Sequence, residues 1–173
     1  IGPELRQYFF ESDLAEVPFS RQQRTLVYQR AKRVNDVRPF GTQQNVYGVD
    51  YEWINHSMAP AAIPSSDFRI VIGPGSAQPY SASVFNISAM SFGSLSAAAI
   101  RALNAGAKQG GFYHDTGEGS ISPYHREAGG DLVWELGSGY FGCRNDGGSF
   151  SEQRFIANAR DPQVKMIEVK LSQ

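Results

Sequence analysis

The sequence predicts an α/β fold with parallel strands, and three observations indicate this class. From residue 68 onward, strand-like segments and segments of helical spacing alternate in the order β-α-β-α-β, which is typical of parallel strands joined by crossover helices. The chain has 173 residues, of which 41% are hydrophobic and 12% aromatic, enough for a real core. Glycine and polar residues follow the predicted strands directly, where such folds bind ligands.

Residues 1–66 differ from the rest because they are rich in aromatic and charged residues and are interrupted by prolines. We interpret them as a mostly helical and irregular extension of the α/β part at 67–173. Ser20 is a suitable cap for a helix over Arg21–Val34. Its basic residues indicate a solvated helix face, with a docking or membrane-proximal face as the alternative. The turn-rich segments 46–53 and 56–64 predict no regular structure.

Two strands open the α/β part, Phe68–Ile72 and Ser81–Ala89, because β-branched and aromatic residues alternate with polar ones on either side of a Gly-Pro-Gly turn. A helix follows, capped by Ser94 or Ser96 and stopped by the glycine pair at 110–111. The later predicted elements are a strand at Phe112–Thr116, a helix at Ser151–Arg160 and a strand at Val164–Leu171.

The stretch from Gly117 to Phe150 is predicted to be irregular. It is longer than the roughly 12 to 15 residues beyond which structureless loops are usually functional or disordered. It also contains Trp134, Tyr140 and Phe141, which a disordered tract rarely uses. We therefore expect an ordered, functional loop.

Charge and composition exclude several classes of function. The chain has 16 Lys and Arg against 17 Asp and Glu, so it lacks the basic excess of a dedicated nucleic-acid binder. The single cysteine, Cys143, forms no internal disulfide, and His56, His114 and His125 show no metal-ligand spacing. No apolar run is long enough to cross a bilayer. We expect a protein of the cytoplasm without a bound metal in this chain.

The candidate site residues follow the predicted strands. Ser91 and Thr116 are equally well explained as turn and cap residues, whereas Lys170 at the end of an apolar strand is harder to explain by structure alone. A lysine there is suited to stabilising negative charge on a cofactor or substrate. The three clusters are Ala89, Met90, Ser91 and Gly93; Thr116, Gly117, Glu118 and Gly119; and Lys170, Ser172 and Gln173.

Four segments in this order resemble the FMN-binding synthase domain of glutamate synthase and, more closely, the stand-alone FMN-binding glutamate synthase family proteins. They are Phe85–Ser96, His114–Gly119, Gly137–Gly142 and Ile167–Gln173. The upstream segments Tyr28–Lys32 and Trp53–Met58 also resemble the extension of the stand-alone proteins. Ser120 departs from the family, which usually has glycine at that position.

The resemblance implies a partial (β/α)8 TIM barrel that binds FMN at its carboxyl face, with the chain truncated after the third barrel strand. The implied reaction joins 2-oxoglutarate and ammonia to 2-iminoglutarate, which reduced FMN converts to L-glutamate by hydride transfer. The implied catalytic residues are Lys170 and Glu118. The implied cofactor-binding residues are Ala89, Met90, Ser91, Thr116, Gly117, Lys170 and Gln173.

The resemblance also implies properties of the longer parent protein from which this chain is expected to derive. The iron–sulfur cysteines of the family follow the position of Gln173, so a cluster in the parent would have no ligand in this chain. Relatives often carry apolar segments upstream, which implies a parent anchored at the cytoplasmic face of a membrane. An alternative to an enzyme piece is a non-catalytic interaction module, in which a partner chain or a second copy completes the barrel.

Overall fold

The computed structural model describes residues 18–35 and 45–171, which fall into one unit ending at Pro60 and another beginning at Ala61. In the first unit, helix α1 covers Arg21–Ala31. Ser20 caps it as predicted, since its Oγ accepts the Gln23 N–H at 3.2 Å and the Gln23 side chain accepts the Ser20 N–H at 2.8 Å. Residues 45–60 form turns and no helix or strand.

The second unit opens with an antiparallel hairpin of β1, Arg69–Ile72, and β2, Tyr80–Ser83. The prediction of a single strand over Ser81–Ala89 is wrong. The chain turns after β2, because Ser83 Oγ accepts the Phe85 N–H at 3.2 Å and the Ser83 carbonyl accepts the Asn86 side chain at 2.8 Å. Beyond this turn, Ile87 pairs in parallel with His114.

A parallel sheet forms the centre of the second unit. Its strands are β3, His114–Asp115, β4, Leu132–Leu136, and β5, Val164–Val169, in the order β3-β4-β5. Helix α2, Ala97–Gly110, precedes β3; it begins at the Ser96 cap and ends at Gly111, whose φ of 67° closes the last turn. Helix α4, Glu152–Ala159, precedes β5.

The prediction of an irregular loop from Gly117 to Phe150 is wrong. The segment contains a short helix, α3, Pro123–Arg126, and the whole of β4. All five residues of β4 are buried, so both faces of the strand are covered and its sequence shows no alternation of apolar and polar residues. Counting the Ile87 segment, Val164–Val169 is therefore the fourth parallel segment and not the third.

The apolar core lies on one face of this sheet. Leu132, Trp134 and Leu136 project from β4 and pack with Cys143 and Val164. The ring of Phe155 on α4 lies 5.4 Å from the Trp134 ring. Helix α4 thus covers the apolar face and fixes β4 next to β5. Within residues 18–35 and 45–171, no helix has the length and apolar character needed to cross a bilayer.

Candidate functional site

The candidate site is the edge at which the parallel segments end. Ser91 follows the Ile87 segment, Glu118 follows β3, Gly137 follows β4 and Lys170 follows β5. Parallel strands present their carboxyl ends at the same edge, so residues far apart in sequence meet there. The structure brings together residues from all three predicted clusters.

The turn after β3 packs directly on Ser91. The Gly119 N–H donates a hydrogen bond to Ser91 Oγ at 2.8 Å. A Cβ atom on Gly117, whose φ is +66°, would lie 2.9 Å from the Ser91 nitrogen. A Cβ on Gly119 would lie 2.5 Å from Ser91 Oγ. Position 117 therefore requires glycine, because of its positive φ and the close Ser91 backbone, whereas a side chain at position 119 would displace the Ser91 hydroxyl.

Glu118 and Lys170, the two residues implied to be catalytic, form an ion pair. The Lys170 Nζ lies 2.5 Å from Glu118 Oε1, and the Lys170 side chain remains 43% exposed. Glu118, and to a lesser extent Glu135, raises the pKa of the Lys170 ammonium above its ordinary value. A side chain at Gly137 would meet the Glu118 carboxylate. At neutral pH the edge therefore carries the Lys170 ammonium group, which Glu118 holds in position and which solvent can still reach.

The other predicted residues have different positions. Thr116 is fully buried, where its hydroxyl donates to the Gly117 carbonyl at 3.0 Å and accepts the Glu135 N–H at 3.1 Å, so it fastens the turn to β4. Ala89 is exposed, whereas Met90 and Ser91 are half-buried. Gln173 lies outside the described residues.

Ser120 ends the turn in a conformation that favours glycine. Its φ is +71°, and its side chain is buried against Gly142. An L residue in this region of φ is strained by roughly 1 to 2 kcal/mol. The conformation gives a physical reason why glycine suits this position.

Three carboxylates on adjacent strands, those of Asp115, Glu135 and Glu168, interact electrostatically near the ion pair, and sequence reasoning missed them. Burial and the nearby Glu135 and Glu168 raise the pKa of Asp115 to about 7, although Asp115 Oδ1 accepts the Gly117 N–H at 2.8 Å. Burial also raises the pKa of Glu135, while Lys170 lowers it. The sequence feature that could have revealed them is Glu135, a charged residue inside the otherwise apolar run Leu132–Leu136.

Two buried histidines lie behind the Ala89–Ser91 segment, with ring centroids 5.0 Å apart. His125 on α3 contacts the Met90 carbonyl through Nε2 at 3.1 Å. Neither ring nitrogen of His114 has a hydrogen-bond partner within the described ranges. Burial, and secondarily His125, lowers the pKa of His114 to about 4, so the ring is neutral at physiological pH.

No cluster of three or more His, Cys, Asp or Glu side chains with metal-binding geometry occurs in the part of the chain that the structure describes. The chemical groups that this edge brings together are the Glu118–Lys170 pair, the half-buried strand end at Met90–Ser91 and the glycine turn.

Comparison with known proteins gives two matches. Residues 32–173 match the family model described as the conserved region in glutamate synthase. A protein of Bacillus subtilis (strain 168), described as glutamate synthase large subunit-like protein YerD, is 30% identical over 214 residues. The match covers 100% of this chain and 41% of that relative, so the chain spans about two fifths of the length of the curated relative. No solved structure matches the chain.

Proposed function

Because this chain belongs to the glutamate synthase family, we propose that it is part of an FMN-dependent oxidoreductase that forms L-glutamate from 2-oxoglutarate and ammonia through 2-iminoglutarate. In this proposal the parallel sheet is the first part of a (β/α)8 barrel. The spatial order of the Ile87 segment, β3, β4 and β5 follows the chain order, as successive strands of such a barrel do, and this supports the assignment.

The observation that carries the proposal is the accessible Lys170 ammonium, held by Glu118 at the carboxyl edge. A reduced flavin and a dicarboxylate substrate both carry negative charge, and a fixed cation at a partly desolvated edge stabilises such charge. Peptide groups of the half-buried Met90–Ser91 strand end, next to the exposed Gly119, lie at the same edge. The residues present therefore fit a flavin and an oxoacid.

The roles of the side chains follow from these contacts. When bound, FMN supplies the hydride that reduces the imine. Lys170 stabilises negative charge near the cofactor, and Glu118 fixes the ammonium in position. Ala89, Met90 and Ser91 line the cofactor side, while Gly117 and Gly119 allow the turn to pack against Ser91. The buried Thr116 hydroxyl supports the site indirectly, since its hydrogen bonds join that turn to β4.

The test compares Lys170→Met with Lys165→Met in the full-length gene product. Lys165 is a matched control because it lies near the opposite end of β5, where its Nζ donates to the Pro162 carbonyl at 2.7 Å. We expect FMN to be extracted from the purified wild-type protein, and Lys170→Met to reduce kcat/KM for glutamate formation by on the order of 100-fold. Lys165→Met should change kcat/KM less than threefold.

Glutamate formation is measured with 2-oxoglutarate, ammonium and a chemical reductant of flavin. A colourless protein that co-purifies stoichiometrically with another polypeptide would contradict the proposal and favour the interaction module. Equal reductions of kcat/KM in the two lysine variants would show that Lys170 does not have the proposed role.

A further inference from the structure

The Met90 peptide groups are held by two different elements. The Met90 N–H donates to the Asp115 carbonyl on β3 at 3.1 Å. The Met90 carbonyl contacts His125 Nε2 on α3, also at 3.1 Å. The strand end is therefore fixed on one side by backbone and on the other by a single buried side chain.

The hydrogen bonds of His125 determine its tautomer. The Ser122 N–H, which can only donate, points to His125 Nδ1 at 3.1 Å, so Nδ1 is an acceptor without a proton. The Ser122 hydroxyl lies 2.8 Å from the same nitrogen. Burial lowers the pKa of His125, which keeps the ring neutral. The remaining ring proton is therefore on Nε2, which donates to the Met90 carbonyl.

This bond also orients the next peptide N–H. The structure contains no cis peptide bond among its described residues, and in a trans peptide the carbonyl and the following N–H point in opposite directions. Holding the Met90 carbonyl toward His125 therefore directs the Ser91 N–H away from α3. No residue that the structure describes accepts a hydrogen bond from the Ser91 N–H.

We propose that His125 is a positioning residue for the cofactor edge: its Nε2–H holds the Met90 carbonyl so that the Ser91 N–H is presented to an acceptor atom of the bound ligand. This inference rests on the proposed function, because it takes the ligand at the Ala89–Ser91 segment to be the flavin or its oxoacid substrate. The Ser122 N–H and hydroxyl, both at His125 Nδ1, keep the ring in the orientation that donates.

Three variants of His125 separate positioning from folding. His125→Gln places an amide nitrogen where Nε2 lies, His125→Asn places one only where Nδ1 lies, and His125→Leu removes both. His114→Leu is the matched control, since it removes a buried ring from the same pair without removing a hydrogen bond to a described residue.

The first readout is FMN affinity of the full-length gene product, measured by quenching of flavin fluorescence. We expect His125→Asn and His125→Leu to weaken FMN binding by about 2- to 12-fold, the value of one neutral hydrogen bond, and His125→Gln to restore most of it. His114→Leu, which removes no hydrogen bond to a described residue, should leave FMN affinity within about twofold. Equal weakening by His114→Leu and His125→Leu, or no rescue by His125→Gln, would overturn the proposal.

The second readout does not require the cofactor. Nitrogen NMR of the histidine rings should show His125 protonated on Nε2 and not on Nδ1, and the Ser91 amide should exchange with solvent faster than the Met90 amide. A proton on Nδ1 would overturn the proposal. A wild-type protein that binds no FMN would overturn the proposed function, while this measurement would still decide whether His125 holds the strand end.

Discussion

The buried carboxyl of Asp115 makes the stability of the second unit depend on pH. It is buried on β3, where burial and the neighbouring Glu135 and Glu168 raise its pKa to about 7 from 3.8. Between these values the folded state binds more protons than the unfolded state. The contribution of Asp115 to stability is therefore present below pH 4 and is lost as the pH rises through about 7.

The contribution of His114 to stability changes with pH in the opposite direction. Its pKa is lowered to about 4 from 6.5, so the unfolded chain binds more protons between these values. Stability from the neutral, buried ring is present above pH 6.5 and is lost as the pH falls through about 4. The two residues thus limit the stable range from opposite sides.

We predict that Asp115→Asn stabilises the protein at pH 8 and changes it little at pH 4. Asparagine keeps an oxygen that accepts the Gly117 N–H but removes a buried charge, so we expect a gain on the order of 1 to 3 kcal/mol at pH 8. Urea unfolding from pH 4 to pH 8 measures the effect. Asp146→Asn is the control, since the Asp146 side chain is 97% exposed. Parallel pH profiles for wild type and Asp115→Asn would contradict the prediction.

At the scale of elements, the boundaries that the sequence predicts well are those set by local hydrogen bonds. Ser20 and Ser96 each accept a backbone N–H three residues later, and Gly111 ends α2 with a positive φ. Such contacts join residues a few positions apart, so their chemistry is visible in the sequence. The start of α1 and both ends of α2 were predictable for this reason.

Elements fixed by distant partners were not predictable in the same way. Strand β4 is buried on both faces, so its five residues show neither alternation nor helical spacing, and Glu135 interrupts the apolar run. The meeting of Glu118 and Lys170 followed from the rule for strand ends in parallel sheets. The contact of His125 with Met90 did not, because it depends on α3, which the sequence did not reveal.

Strand β4 gives the prediction at this scale. Trp134 is fully buried in the core, and its indole N–H has no hydrogen-bond partner among the described residues. We expect Trp134→Ala to lower the free energy of unfolding by about 3 to 5 kcal/mol through loss of packing. Trp134→Phe should cost less than about 1.5 kcal/mol, since it keeps most of the apolar volume and removes an unsatisfied donor.

Denaturant unfolding of both variants measures this difference. Leu171→Ala is the control because Leu171 is 93% exposed, and it should change stability by less than about 0.5 kcal/mol. Equal losses for Trp134→Ala and Trp134→Phe would mean that the indole nitrogen, and not the apolar volume, stabilises β4.

On the largest scale, the parallel sheet of the second unit has β5 as its outermost strand. Within the described ranges, β5 pairs only with β4, so its other edge presents free backbone donors and acceptors. Val169, the last residue of β5, is 58% exposed, and Leu171, two residues further on, is 93% exposed. An open strand edge with exposed apolar side chains promotes pairing with another chain.

We therefore predict that this chain, expressed as the 173 residues alone, self-associates through β5. Light scattering coupled to size-exclusion chromatography should show a mean mass that rises above 19.0 kDa with concentration. Lysines at the β5 edge oppose strand pairing, so Val169→Lys with Leu171→Lys should return the mass to that of one chain. Val49→Lys with Ile54→Lys is the control, since these residues are 99% and 96% exposed in the other unit and form no strand. A wild-type chain that stays monomeric at every concentration would show that the β5 edge does not drive association.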